Sequence, residues 1–384
     1  PHLEHVNERI AIDGQQLSDD DFVDTWDQIK DLVAMVDMKM EELDKPKMSF
    51  FEVLTAMAIW KFADAPVDVA IVEVGMGGRW DATNVLDADA AIIGPIDMDH
   101  MAWLGDTVEQ IASEKVGIIK PGCTAVIGRQ PHEEAVMPII EEAARQNHAN
   151  LVRDGIEAEV VTRIPAVGGQ VATLRTPNGT YAEVPIAKFG EHQAHNALAA
   201  LCAAEVVIPV NGALDGDLVA EALSSVRIPG RIEQIRTSPT IILDGGHNVN
   251  AAESLRAAIE ENYDFQQLVG VVAMMGDKQV EEYLGVLEPL LSHVIVTENS
   301  WRDRVMPAED LKKIADRVFG PERVTCIPEL PDAIQEAVNM VDADDELGVG
   351  YGHGVLVCGS FTTAGDARLM LCLLYTSPSP RDST

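Results

Sequence analysis

Cysteine is scarce and unpaired in this chain. Five cysteines are spread over 384 residues, at 123, 202, 326, 358 and 372, and none forms a C-x-x-C pair. That excludes a zinc knuckle or disulfide framework and makes a reduced cytoplasm the default compartment. Basic residues are also few, 28 against 63 acidic ones, for a net charge of −35. Nucleic acid and anionic membrane surfaces reward basic patches, so neither is expected as a partner. No run of 18 apolar residues occurs, so no membrane-spanning helix is expected. Glycine never precedes lysine, so no phosphate-binding P-loop is present. Gly75 and Gly77 follow an apolar run, but position 80 is Trp, so the dinucleotide fingerprint also fails.

Apolar residues make up 47% of the chain, enough to bury a sizeable core over two or three domains. Helical and strand-like patterns alternate, which predicts α/β layers. Residues 49–63, SFFEVLTAMAIWKFA, predict a helix opened by a capping box of Ser49 and Glu52. The apolar run VDVAIVEV at 67–74 predicts a buried strand. Residues 157–187 carry short β-type runs around a TPNG turn and predict a small β insertion. RIPGR at 227–231 reads as linker, placed at 227–235 between domains at 1–226 and 236–370. Beyond it TIILDGG, LVGVVAMM, HVIVTEN, RVTCIP and GVLVCGS predict five buried strands, each followed by a helix, in a doubly wound parallel sheet. Residues 371–384, ending in YTSPSPRDST, predict a disordered and non-native tail. Pro1 is not an initiator Met and no charged-then-apolar leader follows it, so the start reads as a cut.

Chemistry-bearing residues gather at strand ends, where open α/β sheets bind ligands. Glu73 closes its apolar run and is followed by GMGGRWDATN. A carboxylate there is costly unless paired or bound to a cation. Pairing with Arg79 is one reading, a cation site the other. Asp97-Met98-Asp99-His100 closes the next strand. Oxygen ligands of this kind suit Mg²⁺, with waters and phosphates completing the octahedron.

Taken in order, SFFEVLTAMAI, VEVGMGGRWDATNV, DMDHMAWLGDTVEQIASEKVGIIKPG, GEHQAHNALAA, IPGRIE, ILDGGHNVNAAESL and MMGDK resemble the folylpolyglutamate synthase/dihydrofolate synthase family, the folate branch of the Mur ligases, over residues 1–370. The resemblance implies an N-terminal ATPase-type α/β domain, its P-loop part missing upstream of Pro1, and a C-terminal Rossmann-like domain. It implies an ATP-dependent ligase that adds L-glutamate to a folate or dihydropteroate carboxylate through an acyl phosphate. Glu73 and His100 match its magnesium ligands, Lys115 a carbamylated catalytic lysine, and His247 a candidate catalytic group. Asn196, Arg231 and Asp244 match ATP contacts. Ser49, Phe50, Phe51, Glu52, Trp80, Asp81 and Ala82 match the pterin-contacting stretches, and aromatic rings suit a flat pterin. ATP is then the co-substrate, Mg²⁺ (two ions) the metal and K⁺ a further candidate cation, in a cytoplasmic monomer.

The chain departs from the family at Trp80, where an aliphatic residue is common, and at Val116 and Gly246, where alanine is usual. With the phosphate loop upstream of Pro1, the chain as given is expected to be inactive. Two alternatives stay open: an inactive folate- or nucleotide-binding fragment, and a Mur-type ligase for peptides.

Overall fold

The computed structural model describes residues 2–98, 101–210, 212–343 and 352–376. His100, a candidate metal ligand, and Asp99 lie outside the described residues.

The chain opens with a 3₁₀ turn at Val6–Arg9 and a tight hairpin, β1 (Ala11–Ile12) and β2 (Gln15–Gln16). Asp13 and Gly14 form the two-residue turn, both at positive φ, as such a turn demands. Two helices follow, α1 (Asp19–Glu42) and α2 (Phe50–Asp64). The capping box forms as the sequence predicts: Ser49 Oγ accepts from the Glu52 amide at 3.3 Å, and Glu52 Oε2 accepts from the Ser49 amide at 2.6 Å. Both helices bury one stripe around Ile10, Ile29, Val33, Leu54 and Met57.

Residues 67–74 are not a buried strand. They form no ladder among the described residues, and Ile71 is 92% exposed. An apolar run becomes a strand only by pairing, and the adjacent sheet consists of three other parallel strands. These are β3 (Ala90–Ile93), β4 (Thr124–Ile127) and β5 (Asn150–Arg153), in the order β3-β4-β5. Between them run α3 (Met101–Leu104), α4 (Val108–Lys115) and α5 (Glu133–Gln146), packed through Ile96, Ile111, Val136 and Ile140.

Three antiparallel strands come next: β6 (Glu159–Ala166), β7 (Gly169–Arg175) and β8 (Thr180–Ile186). Helix α6 (Glu191–Val207) packs its alanine-rich face on them, and α7 (Gly216–Ser225) closes the unit.

The second domain is a six-stranded sheet in the order β13-β12-β11-β14-β10-β9. Its strands are β9 (Glu233–Thr237), β10 (Thr240–Leu243), β11 (Gln267–Val272), β12 (His293–Glu298), β13 (Val324–Glu329) and β14 (His353–Cys358). The last five are parallel and carry α8 (Val249–Asn262), α9 (Val280–Leu287), α10 (Ala308–Phe319), α11 (Leu330–Ala343) and α12 (Phe361–Thr376) on the two faces. Their continuous apolar runs are buried from both sides. Strand β9 is an antiparallel edge, and the predicted linker at 227–235 runs into its first three residues. EQIRT is polar and half-exposed, so no apolar run marked it.

The first residues of the predicted tail at 371–384 belong to a helix. Helix α12 runs to Thr376, and Leu371 is buried in the core cluster of that face. RLMLCLL continues the helix, so position 371 is not a boundary. Residues 377–384 lie outside the described residues.

Among the ties between the domains, Arg368 on α12 donates to Glu4 near the start of the chain, and two others fall on α8. Arg163 on β6 donates to Glu261 on α8 at 2.9 Å. Asn250 at the other end of α8 donates to Asp97 Oδ2 at 3.5 Å. One helix of the second domain is therefore held at both ends against the first.

Candidate active site

The stretch after Glu73 is shaped by its glycines. A Cβ on Gly75 would stand 2.5 Å from the Phe51 ring. One on Gly78 would stand 2.7 Å from the Glu114 carbonyl oxygen and 2.9 Å from that of Lys115. Only glycine permits these approaches. The loop therefore lies on the last turn of α4, and the Arg79 amide donates to Glu114 O at 2.9 Å. Asp81 caps the short helix that follows, accepting from the Thr83 amide at 3.0 Å, and it also accepts from the Met76 amide at 2.9 Å.

A cleft of about 2110 Å³ opens beside this loop. Ser49, Phe51, Glu52, Glu73, Trp80, Asp81 and Ala82 all line it. Phe50 is not among the lining residues; its ring lies under the guanidinium of Arg9, which does line the cleft, 5.6 Å from the ring centroid. Trp80 is 87% exposed, an indole face turned to solvent. Lys115 is half-buried at the last residue of α4, the helix against which the loop packs.

Glu73 does not pair with Arg79, whose Nη2 donates to Ser113 O at 3.2 Å. The cation near Glu73 is Arg9. Burial lowers the Arg9 pKa, and Glu73 acts in the opposite sense. Arg9 Nε donates to His2 Nδ1 at 2.9 Å. Glu8 beside it gathers the amides of Leu3, Glu4 and His5 at 2.7–2.8 Å. Arg9 was missed in the sequence because nothing local marks it: its neighbours come from three separate segments.

A second cleft, of about 780 Å³, lies between the domains. Asn196, in the second turn of α6, lines it with His192, His195, Arg129 and Arg163, facing Asn250, Glu253 and Glu261 of α8. His195 Nδ1 bonds the Asp154 carboxylate at 2.5 Å, and this partner raises the His195 pKa. His192 moves the other way, lowered by burial and then by Arg231. The His195–Asp154 pair spans 41 residues and left no signal in the sequence.

Arg231 and Asp244 meet elsewhere, at the hinge. Asp244 is 5% exposed; its Oδ1 accepts from the Gly246 amide at 2.8 Å and its Oδ2 from the Ile232 amide at 3.1 Å. Burial raises its pKa, and these amides and Arg231 oppose the rise. Arg231 stacks on Phe361 at 4.4 Å. Neither residue lines the Asn196 cleft, although Arg231 is close enough to act on His192, which does. His247 is half-buried just before Asn248, whose side chain caps α8 by accepting from the Ala251 amide. Among the described residues no group of three His, Cys, Asp or Glu side chains is placed to hold a metal.

Residues 26–204 match the Mur ligase middle domain, and residues 230–361 match the Mur ligase glutamate ligase domain. A Mycobacterium tuberculosis protein named dihydrofolate synthase/folylpolyglutamate synthase is 43% identical, over 96% of this chain and 79% of the relative. A Bacillus subtilis protein of the same name is 30% identical, over 97% and 82%. The structure of M. tuberculosis folylpolyglutamate synthase complexed with ADP and AMPPCP has a TM-score of 0.90 at 42% identity, covering 97% of this chain and 83% of that one. Escherichia coli FolC in complex with DHPP and ADP has a TM-score of 0.80 at 26% identity, covering 98% and 81%. The first match ends at residue 204 and the second begins at residue 230, inside the RIPGR turn, and the chain belongs to the dihydrofolate synthase/folylpolyglutamate synthase family of Mur ligases.

Proposed function

We propose that this protein joins the amine of L-glutamate to the carboxylate of dihydropteroate or a folate, using ATP, through an acyl phosphate. The observation that carries the reading is the first cleft: seven of the residues expected to meet the pterin or metal line one space, against the helix that ends in Lys115. The rings of Phe51 and Trp80 suit a flat heterocycle, and Ser49, Glu52 and Asp81 supply polar partners at its edge. The folate reading stands over the peptide-ligase alternative because the relatives at 43% and 30% identity both carry folate-enzyme names.

Phosphoryl transfer requires positioned positive charge rather than covalent help from the protein. Glu73 is an exposed carboxylate facing the cleft, and such a donor suits Mg²⁺, which keeps most of its waters. We assign Glu73 and His100 as its protein ligands, with a carbamate on Lys115 as a further oxygen donor. Bound there, magnesium would neutralise charge on the phosphate oxygens; K⁺ is a second candidate cation. Asn196 is assigned to ATP in the interdomain cleft, Arg231 and Asp244 to ATP at the domain junction, and His247 to catalysis beside them. Free cysteines throughout fit a cytoplasmic enzyme, and we take it to be a monomer.

The test is glutamate-dependent ADP release by the full-length protein, with dihydropteroate and with tetrahydrofolate as alternative acceptors. Turnover with either, lost in Glu73→Gln, supports the reading. No turnover with both acceptors at saturating Mg²⁺ and ATP overturns it.

A further inference from the structure

His195 stands one residue before Asn196 and lines the same interdomain cleft. Its ring is fixed from behind. Asp154, just after β5, has a side chain only 8% exposed and holds Nδ1 at 2.5 Å. The other ring nitrogen, Nε2, has Glu191 Oε1 at 3.6 Å, an ion-pair distance too long for a hydrogen bond. The ring is thus oriented, partly solvated, and offers one nitrogen to the cleft.

We propose that His195, held by Asp154, is a nucleotide-positioning residue that donates its Nε2–H to an acceptor on the nucleoside half of ATP, beside Asn196. This rests on the assignment of ATP to that cleft. With Nδ1–H given to Asp154, Nε2 carries a proton only in the imidazolium form. The neutral ring would present a lone pair to the acceptor and repel it. Asp154 favours the imidazolium, as the raised pKa reflects. The other charged groups around the ring are Glu191 and His192 on its own helix, Arg129 after β4, Arg163 on β6, and Glu253 and Glu261 on α8. The two arginines oppose protonation, and the three glutamates favour it.

Such a donor is lost on deprotonation, so nucleotide affinity should fall as pH rises through the His195 pKa, above 6.5. In the full-length protein His195→Phe should raise the Kd for ADP and the KM for ATP about ten-fold, the size of one charge-assisted hydrogen bond. The glutamate KM and kcat should stay within about two-fold. His195→Gln retains an N–H donor that does not titrate; it should keep most of the affinity and lose its pH dependence. Asn196→Ala serves as the control for the cleft. If Asn196→Ala weakens ADP while His195→Phe does not, the role of His195 is wrong and the cleft assignment stands. If neither variant changes ADP affinity, the cleft assignment itself fails. A pH dependence unchanged in His195→Gln, or a kcat loss in His195→Phe matching the KM change, would also overturn the proposal.

Discussion

Gly78 touches Lys115 backbone to backbone: a Cβ at Gly78 would stand 2.9 Å from the Lys115 carbonyl oxygen and 2.7 Å from that of Glu114. The neighbours are helix carbonyls rather than flexible side-chain ends, so they cannot yield cheaply. Gly78→Ala must push the metal-side loop off α4. We expect a loss of about 1–3 kcal/mol in stability and roughly a hundred-fold in kcat. Gly285, inside α9 with nothing within 4 Å of its Cβ position, provides the contrast. Gly285→Ala should be neutral or stabilising by about 0.5–1 kcal/mol. Thermal unfolding and turnover of the two variants decide the point; equal effects would remove the packing argument.

The hinge depends on Asp244. Both its oxygens accept backbone amides, one of them from Ile232 just past the RIPGR turn. Asp244→Asn turns an NH₂ group against one of those amides and leaves a buried donor unsatisfied. The expected cost is about 1–3 kcal/mol, with ATP affinity reduced. An unchanged midpoint in denaturant would show that the amides have found water instead.

Asp154 and His195 also make stability depend on pH. The folded His195 pKa lies above its ordinary value because of Asp154. The stabilisation is therefore complete below about pH 6.5, the unfolded value, and is lost as pH rises through the folded value. The Tm gap between the wild type and Asp154→Asn should be wider at pH 6 than at pH 9. A gap that stays constant across that range would mean the pair does not titrate with folding.

Arg163 and Glu261 join the domains across the cleft, with side chains 18% and 28% exposed. A double-mutant cycle on Arg163→Ala and Glu261→Ala should give a coupling of about 1 kcal/mol, weakening with salt. Zero coupling at low salt would reduce the contact to incidental proximity of strand β6 and helix α8.

What the sequence made legible follows from the range of each interaction. The Ser49–Glu52 capping box and the five parallel strands were readable because their signals are local: a three-residue spacing, and apolar runs buried from both sides. The run 67–74 misled because hydrophobicity reports burial propensity, whereas a strand also needs a partner edge. Strand β9 was missed for the opposite reason, since its edge position lets EQIRT stay polar. Within the site, the glycines beside Glu73 stand out in the sequence, but their contacts with Phe51 and α4 join segments far apart along the chain. Arg9 and the His195–Asp154 pair depend on contacts across separate segments, which spacing cannot show; Asp97 was marked by its cluster, but its partners His132 and Asn250 were not.

Lys115 is expected to carry a carbamate in the full-length enzyme. It ends α4, half-buried, where Gly78 brings the Glu73 loop onto the same helical turn. An unmodified ammonium there would repel a magnesium ion, and lysine has no acceptor to offer one. Attack of the neutral amine on CO₂ forms an N–C bond and releases one proton, leaving an anionic carboxylate on the side chain. That exchange replaces a positive charge with oxygen donors of the kind Mg²⁺ prefers. Lys115→Ala should lose most turnover, and a short carboxylate in solution should restore part of it by supplying the missing oxygens. Lys115→Arg should not recover, because the guanidinium keeps the charge and cannot be carbamylated under these conditions. The direct measurement is ¹³C NMR of the enzyme equilibrated with labelled bicarbonate. A carbamate resonance present in the wild type and absent in Lys115→Ala supports the assignment. No resonance, together with normal turnover in Lys115→Ala, would leave Lys115 as a helix-end lysine with no part in the chemistry.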